Sequence, residues 1–220
     1  MNIFIFRRDL RVQDNTGLNW LNDHAKGESV LPIFIFDPSQ IDSRKNPYFS
    51  HACVEFMHDC LASLARKLPL QMYTGQPVDI LKRLKKAFPE LSRIVVNADY
   101  TPFSRKRDAA IQQWCGKNDM ELVSLEDLPL GDFHRIRTAG NKPYKRFRYF
   151  CQKTLQQRLR APCTKPRNVN IVRDSSSHTA SIRVSLKWLK KMDEEIFQNT
   201  EHIKNTITQE NFEPNYETKK

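Results

Sequence analysis

Five short apolar runs, separated by stretches of helical periodicity, constrain this chain more than any other feature. They are Asn2–Phe6 (NIFIF), Val30–Phe36 (VLPIFIF), Leu70–Tyr73 (LQMY), Arg93–Ala98 (RIVVNA) and Glu121–Leu125 (ELVSL). Near-continuous apolar strands of this length suit a parallel sheet covered on both faces, because neither side of such a strand meets water. Pro32 falls near the start of the second run, where a missing N–H is tolerable. Between the runs, Asn15 or Thr16 can cap a helix bearing Leu18 and Leu21, and Ser50–Leu68 places Val54, Met57, Leu61, Leu64 and Leu68 on one face. Pro77 suits the first turn of a third helix carrying Ile80, Leu81, Leu84 and Phe88, and Pro102 opens a fourth that stops near Gly116. Strand–helix alternation repeated four times predicts an open, five-stranded parallel α/β sheet of Rossmann-like type. Its crossovers should be right-handed, with helices on both faces.

After Leu130 the pattern weakens. Residues 1–130 are expected to form the α/β domain, 131–197 a basic connector with one or two helices, and 198–220 a polar, disordered tail. Tyr144–Leu159 can form a helix anchored by Phe147, Phe150, Leu155 and Leu159. Asn168–Ser181 reads as a flexible loop, and Ser181–Phe197 as an amphipathic helix with Ile182, Leu186, Leu189, Met192 and Ile196 on one side.

Charge follows the same division. The first 130 residues carry a net +1, residues 131–192 a net +14, and residues 193–220 a net −4, which together give the formal +11 of the 220-residue chain. The middle segment should attract phosphate or carboxylate surfaces. The five cysteines form no C-x-x-C pair, which argues against a disulfide framework or zinc site and leaves buried free thiols as the expectation for each. No apolar run approaches the length of a membrane span, and the N-terminus lacks a signal-peptide pattern. These features predict an intracellular protein of cytoplasm or nucleus, without membrane attachment and not secreted.

In an open α/β sheet, ligands bind beyond the carboxyl ends of the strands, near the point where strand order reverses. Three of those ends are rich in chemistry: Phe6-Arg7-Arg8-Asp9, Phe36-Asp37-Pro38 and Asn97-Ala98-Asp99-Tyr100. Guanidinium planes and rings can sandwich a flat heteroaromatic ligand while carboxylates accept from its N–H groups. The same charges could instead close the loops as local ion pairs. No G-x-G-x-x-G follows the first strand and no P-loop motif occurs, so an ordinary dinucleotide or P-loop site is not expected. His51 and His58 are seven apart and the other histidines are scattered, so neither metal chemistry nor a Ser–His–Asp triad is indicated.

The stretch Arg135–Arg148 (RIRTAGNKPYKRFR) has two readings. Lys142, Lys145, Arg146 and Arg148 could contact nucleic-acid phosphates, with Tyr144 or Phe147 as a stacking face. Alternatively it is a solvated connector whose aromatic side chains anchor it to the α/β domain.

Several of these segments together resemble the DNA photolyase/cryptochrome family. The opening Phe6-Arg7-Arg8-Asp9-Leu10-Arg11-Val12-Gln13-Asp14-Asn15-Thr16-Gly17-Leu18 is similar to that family's first strand, loop and helix. Phe36-Asp37-Pro38, Gly75-Gln76-Pro77, Asn97–Asp108 with its R-x-R-D ending, and Gly140–Phe147 resemble further family segments, so the resemblance covers about residues 2–150. It implies a photolyase-type N-terminal domain that holds a light-harvesting antenna and serves light-driven DNA repair. The antenna would be 8-hydroxy-5-deazaflavin, a flavin or methenyltetrahydrofolate. Arg7, Arg8, Asp9, Phe36, Asp37, Pro38, Asp99, Tyr100 and Ser104 are the candidate antenna contacts. In folate-binding members a glutamate holds the pterin where Ser104 stands here, so the resemblance implies that this contact is lost, and Asp99 and Pro102 look closer to deazaflavin- or flavin-binding members.

In that family the antenna feeds an FAD in a following helical domain. Nothing after Ser181 resembles that domain, so FAD is expected only through a partner, a separate FAD-binding helical chain, and the chain alone is expected to be inactive as a carbon–carbon lyase. The competing expectation is a nucleic-acid-binding or scaffold module, or an inactive remnant, using segment 131–192.

Overall fold

A computed structural model describes residues 1–25, 27–128, 136–157, 161–163 and 169–192. Five parallel strands form its centre: β1 (Asn2–Phe6), β2 (Ser29–Phe36), β3 (Gln71–Thr74), β4 (Arg93–Asn97) and β5 (Glu121–Leu125). Their order is β5-β4-β1-β2-β3, so strand order reverses between β1 and β4. All five expected strands are present, shifted by at most a residue at either end. The apolar alternation splits them between two layers. Phe4, Phe6, Phe34, Phe36, Met72 and Val95 face helices α1 (Thr16–His24) and α3 (His51–Ala65). Ile3, Ile5, Ile33, Tyr73, Ile94 and Val96 face α4 (Pro77–Ala87) and α5 (Pro102–Gly116). At roughly 1.5–3 kcal/mol per fully buried large apolar side chain, these two layers supply the main folding force.

Local chemistry sets where the helices begin. Asn15 caps α1 by accepting from the Leu18 N–H at 3.1 Å. Pro77 and Pro102 occupy first-turn positions of α4 and α5, where the missing N–H has no helical partner to lose. Asp37 caps a single-turn helix, α2 (Pro38–Ile41), which the sequence reading did not foresee. Gly17 is fixed by close approach: a Cβ there would stand 2.5 Å from Phe4 Cε2 and 2.9 Å from Asn97 Oδ1.

Beyond β5 the structure departs from expectation in three places. Residues 169–192 are not a loop followed by one long helix. Asn170–Ile171 is a short strand, β6, parallel to the start of β2, and Arg183–Val184 is a strand, β7, antiparallel to β3. They add two strands to the expected five: β7 covers the β3 edge of the sheet and β6 the start of β2, both of which would otherwise present unpaired backbone groups. Pro32 lies in the interval of β2 between the β6 pairing at Ser29–Val30 and the β3 pairing from Ile33, so its missing N–H interrupts neither ladder. It stands mid-strand rather than at the start. Second, the amphipathic helix begins later than predicted, at residue 186, and is described to 192, with Leu189 fully buried; Ile196 and Phe197 lie outside the described residues. Third, α6 (Phe147–Leu155) forms, but Phe147 and Leu155 are exposed rather than anchoring, and no residue of α6 is fully buried; Leu159 lies outside the described residues. The cysteines differ too. Cys115 is buried, Cys53 is exposed, and Cys60, Cys151 and Cys163 are intermediate.

A buried polar cluster fastens the 169–192 segment. The Asp174 carboxylate accepts from the Tyr73 hydroxyl at 2.5 Å, from the Thr179 hydroxyl and from the Ser176 N–H, and pairs with Arg183 at 3.2 Å. Burial raises the Asp174 pKa, but the donated hydrogen bonds and the Arg183 charge outweigh it and hold the carboxyl below its ordinary value. Burial, followed by the bond to Asp174, pushes the Tyr73 phenol up.

Candidate functional site

A cavity of about 720 Å³ opens at the carboxyl ends of β1 and β2, between α3 and α5. That volume lies within the roughly 300–1,000 Å³ of small-molecule sites. Phe34 and Phe36 of β2, with Val54, Phe56 and Met57 of α3, give it an apolar wall. Arg7, Arg8 and Arg11 enter from the loop after β1, Asp37 from the end of β2, Asp99 from the loop after β4, and Arg107 from α5. Cys53 and Cys60 also border it.

The charges are strongly paired. Arg7, its side chain only 7% exposed, makes a bidentate bond to Asp108 at 2.7 and 2.9 Å. Burial, and then the positive charge of Arg107, pull its guanidinium below its ordinary pKa, with Asp108 opposing. Arg8 lies 3.4 Å from Asp99 with most of its side chain in solvent, and Arg11 pairs with Asp127 at 2.7 Å. Four arginines thus meet three carboxylates, with Arg7 and Arg107 sharing Asp108, and Asp37 adds a fourth negative charge that no arginine pairs, so the site is close to neutral overall. Such a site suits a neutral polar ring better than a polyanion.

Two groups in this set are left for a ligand. Asp37 uses Oδ1 to accept from the Ser39 N–H and hydroxyl and from Gln76, while Oδ2 has no partner among the described residues. Arg107 gives Nε to Asp108 at 3.0 Å, but its buried Nη2 has no acceptor among them. An acceptor and a donor beside an apolar wall match a heteroaromatic ring that carries both N–H and C=O groups.

Of the residues singled out from sequence, the structure brings Arg7, Arg8, Phe36, Asp37 and Asp99 to the cavity, and places Asp9, Pro38, Tyr100 and Ser104 outside its lining. Asp9 is buried and closes the loop after β1: Oδ1 accepts from the Arg7 N–H, and Oδ2 from Asn97 and Asn15 at 2.6 and 3.1 Å. Burial raises its pKa above the ordinary carboxylate value, against those bonds. Pro38 opens α2. Ser104 is buried and donates to Asp99 at 2.8 Å, which holds that carboxylate toward Arg8. The Tyr100 hydroxyl is buried without a partner among the described residues. Arg107 and Asp108 were missed as site residues, although they form the R-x-R-D ending; their placement on the first turns of a helix opposite Arg7 was the available signal. Lys142, Lys145, Arg146 and Arg148 lie far along the chain on an exposed turn and the start of α6, away from the cavity lining.

Comparison with known proteins fixes the family. The family model for DNA photolyase matches residues 2–167. The chain belongs to the DNA photolyase family. A deoxyribodipyrimidine photo-lyase of Buchnera aphidicola is 26% identical over 211 residues, covering 92% of this chain and 44% of its own length. Cryptochrome-1 of Sylvia borin is 30% identical over 154 residues, 64% of this chain and 23% of that protein. Among solved structures, an archaeal photolyase from Sulfolobus tokodaii, described with two FAD molecules and a novel light-harvesting cofactor, superposes with a TM-score of 0.70 at 31% identity. The match covers 88% of this chain and 42% of that one. A bacterial class III photolyase from Agrobacterium tumefaciens shares the fold at a TM-score of 0.70 and 22% identity. The chain spans less than half the length of these photolyases and cryptochromes. No helix among its described residues is long and apolar enough to cross a membrane.

Proposed function

We propose that the chain is the antenna part of a photolyase-type assembly and that its cavity holds a flavin-like ring. The observation that carries this reading is the cavity itself: an aromatic wall, an unshared Asp37 oxygen and an unsatisfied Arg107 donor at the strand ends of a photolyase-family sheet. Asp37 would accept from a ring N–H, Arg107 would donate to a ring carbonyl, and Phe36 with Phe34 would pack against the ring system. Arg7 would act from behind, held by Asp108 so that Arg107 keeps its position. When bound, such a ring supplies absorption of near-visible light, which no side chain provides. The chain's own work is to bind the ring, orient it and keep water from one face.

Ser104 argues for a flavin or deazaflavin over a folate. It is buried and committed to Asp99, so it offers nothing at the position where folate-binding relatives carry a glutamate. The reacting FAD and the lesion-bearing DNA would be met through an FAD-binding helical partner domain, in the cytoplasm or nucleus.

The test is titration of the purified chain with riboflavin, 8-hydroxy-5-deazaflavin and methenyltetrahydrofolate, followed by ligand emission anisotropy. Saturable binding of a flavin or deazaflavin is expected. Asp37→Asn or Arg107→Gln should weaken it roughly tenfold, the cost of one hydrogen bond left unmade. Binding of the folate alone, or of none of the three, overturns the reading.

A further inference from the structure

The most cationic stretch of the sequence contributes no residue to the cavity lining. From residue 136 to 173 there is no acidic residue. In the middle of that stretch lie Lys142, Lys145, Arg146 and Arg148, all exposed and none in an ion pair among the described residues. Lys142 is fixed by a closed turn: the Thr138 N–H donates to the Lys142 carbonyl at 2.9 Å, the Asn141 N–H donates to the Thr138 carbonyl at 2.9 Å, and Asn141 adopts φ 56°. The turn leads into α6, where Phe147 is 78% exposed and Tyr149 is 51% exposed. Large rings left in water beside cations with no ion pair among the described residues are an unusual use of surface.

We propose that this surface binds a single strand of nucleic acid: the four cations take phosphates, and Phe147 and Tyr149 offer faces on which unpaired bases stack. Charge complementarity selects the ligand. A polyanion is what four exposed cations with no ion pair among the described residues recognise. The rings select the form, because base faces are open in a single strand and closed in a duplex. The site is independent of the cavity and needs no chromophore.

The test uses the full chain, a labelled short oligothymidylate, the matching oligouridylate and a blunt duplex, with fluorescence anisotropy read between about 50 and 200 mM salt. Neutralising four phosphates predicts a roughly 50-fold loss of single-strand affinity across that range, falling to roughly sevenfold for Arg146→Ser with Arg148→Ser. Phe147→Ala with Tyr149→Ala should weaken single-strand binding by about 30-fold or more at every salt concentration and leave duplex binding unchanged. All four side chains are exposed, so these variants should keep the wild-type circular dichroism. Equal binding of both oligonucleotides supports the shared single-strand chemistry, and binding of only one narrows it to DNA or RNA. No binding at the low salt, an unchanged salt slope in the arginine variant, or unchanged single-strand affinity in the ring variant overturns the proposal. So does a wild-type chain that sediments as a dimer while Phe147→Ala is monomeric, because the face would then belong to a second copy.

Discussion

Asp9 shows how a single side chain can be charged, buried and still useful. Burial alone would favour its protonated form, and its pKa is indeed raised. Yet every hydrogen bond it makes is accepted, from Arg7, Asn97 and Asn15. Asp9→Asn would remove the buried charge, but it would also turn an amide NH2 toward groups that are themselves donors. The second effect should win, because an unmet buried donor costs about 1–3 kcal/mol and both carboxylate oxygens already face donors, so neither orientation of the amide avoids them. Urea unfolding of Asp9→Asn should therefore show a loss of that size; a neutral or stabilised variant would mean that desolvation dominates instead. In the wild type, the raised pKa means that Asp9 contributes stability at low pH. That contribution falls as pH climbs from about 3.9, the ordinary aspartate value, through the higher folded value. The same residue explains one limit of the sequence reading. A carboxylate at a strand end, next to two arginines, has the composition of a ligand contact. Its orientation depends on Asn97, some ninety residues away, which no local pattern reports.

At the level of elements, Asp174 has the opposite sign. Its folded pKa is depressed. The stability it lends to the 169–192 segment is therefore present above about pH 3.9 and lost as pH falls through the lower folded value. The wild-type urea midpoint should drop on acidification below about pH 4. Asp174→Asn should abolish that part of the drop and cost roughly 2–3 kcal/mol at neutral pH, less than for a fully buried pair because Arg183 is partly exposed. An unchanged pH profile in the variant would remove Asp174 from that role. The segment it fastens was illegible in sequence for a definite reason. Strands of two residues have no periodicity, and their partners are β2 and β3, far upstream. β1, β2 and β4 were legible because burial on both faces leaves a continuous apolar signature, while β3 and the edge strand β5 showed through shorter apolar runs between helical patterns. Phe147 and Leu155 misled because helical spacing reports a shared face and not what covers it.

Across the whole molecule, both apolar layers share one sheet, so they should unfold together. Trp114 lies in the layer of α4 and α5, while Trp20 and Trp188 pack against the other. Variants keeping only Trp114, or only Trp188, should give coincident urea transitions, the behaviour expected of a single cooperative unit. Midpoints that separate beyond error would show two independently melting layers. The layers also differ in what they are joined to. Phe36 lines the cavity and its ring lies 5.6 Å from Trp188, on the helix that ends the described chain. One phenylalanine is thus both floor of the receptacle and footing of the helix that begins at residue 186. Whatever tugs on that helix, be it a tether, a protease or a neighbouring subunit, is felt by the guest, and a guest that settles tightly steadies that helix in return.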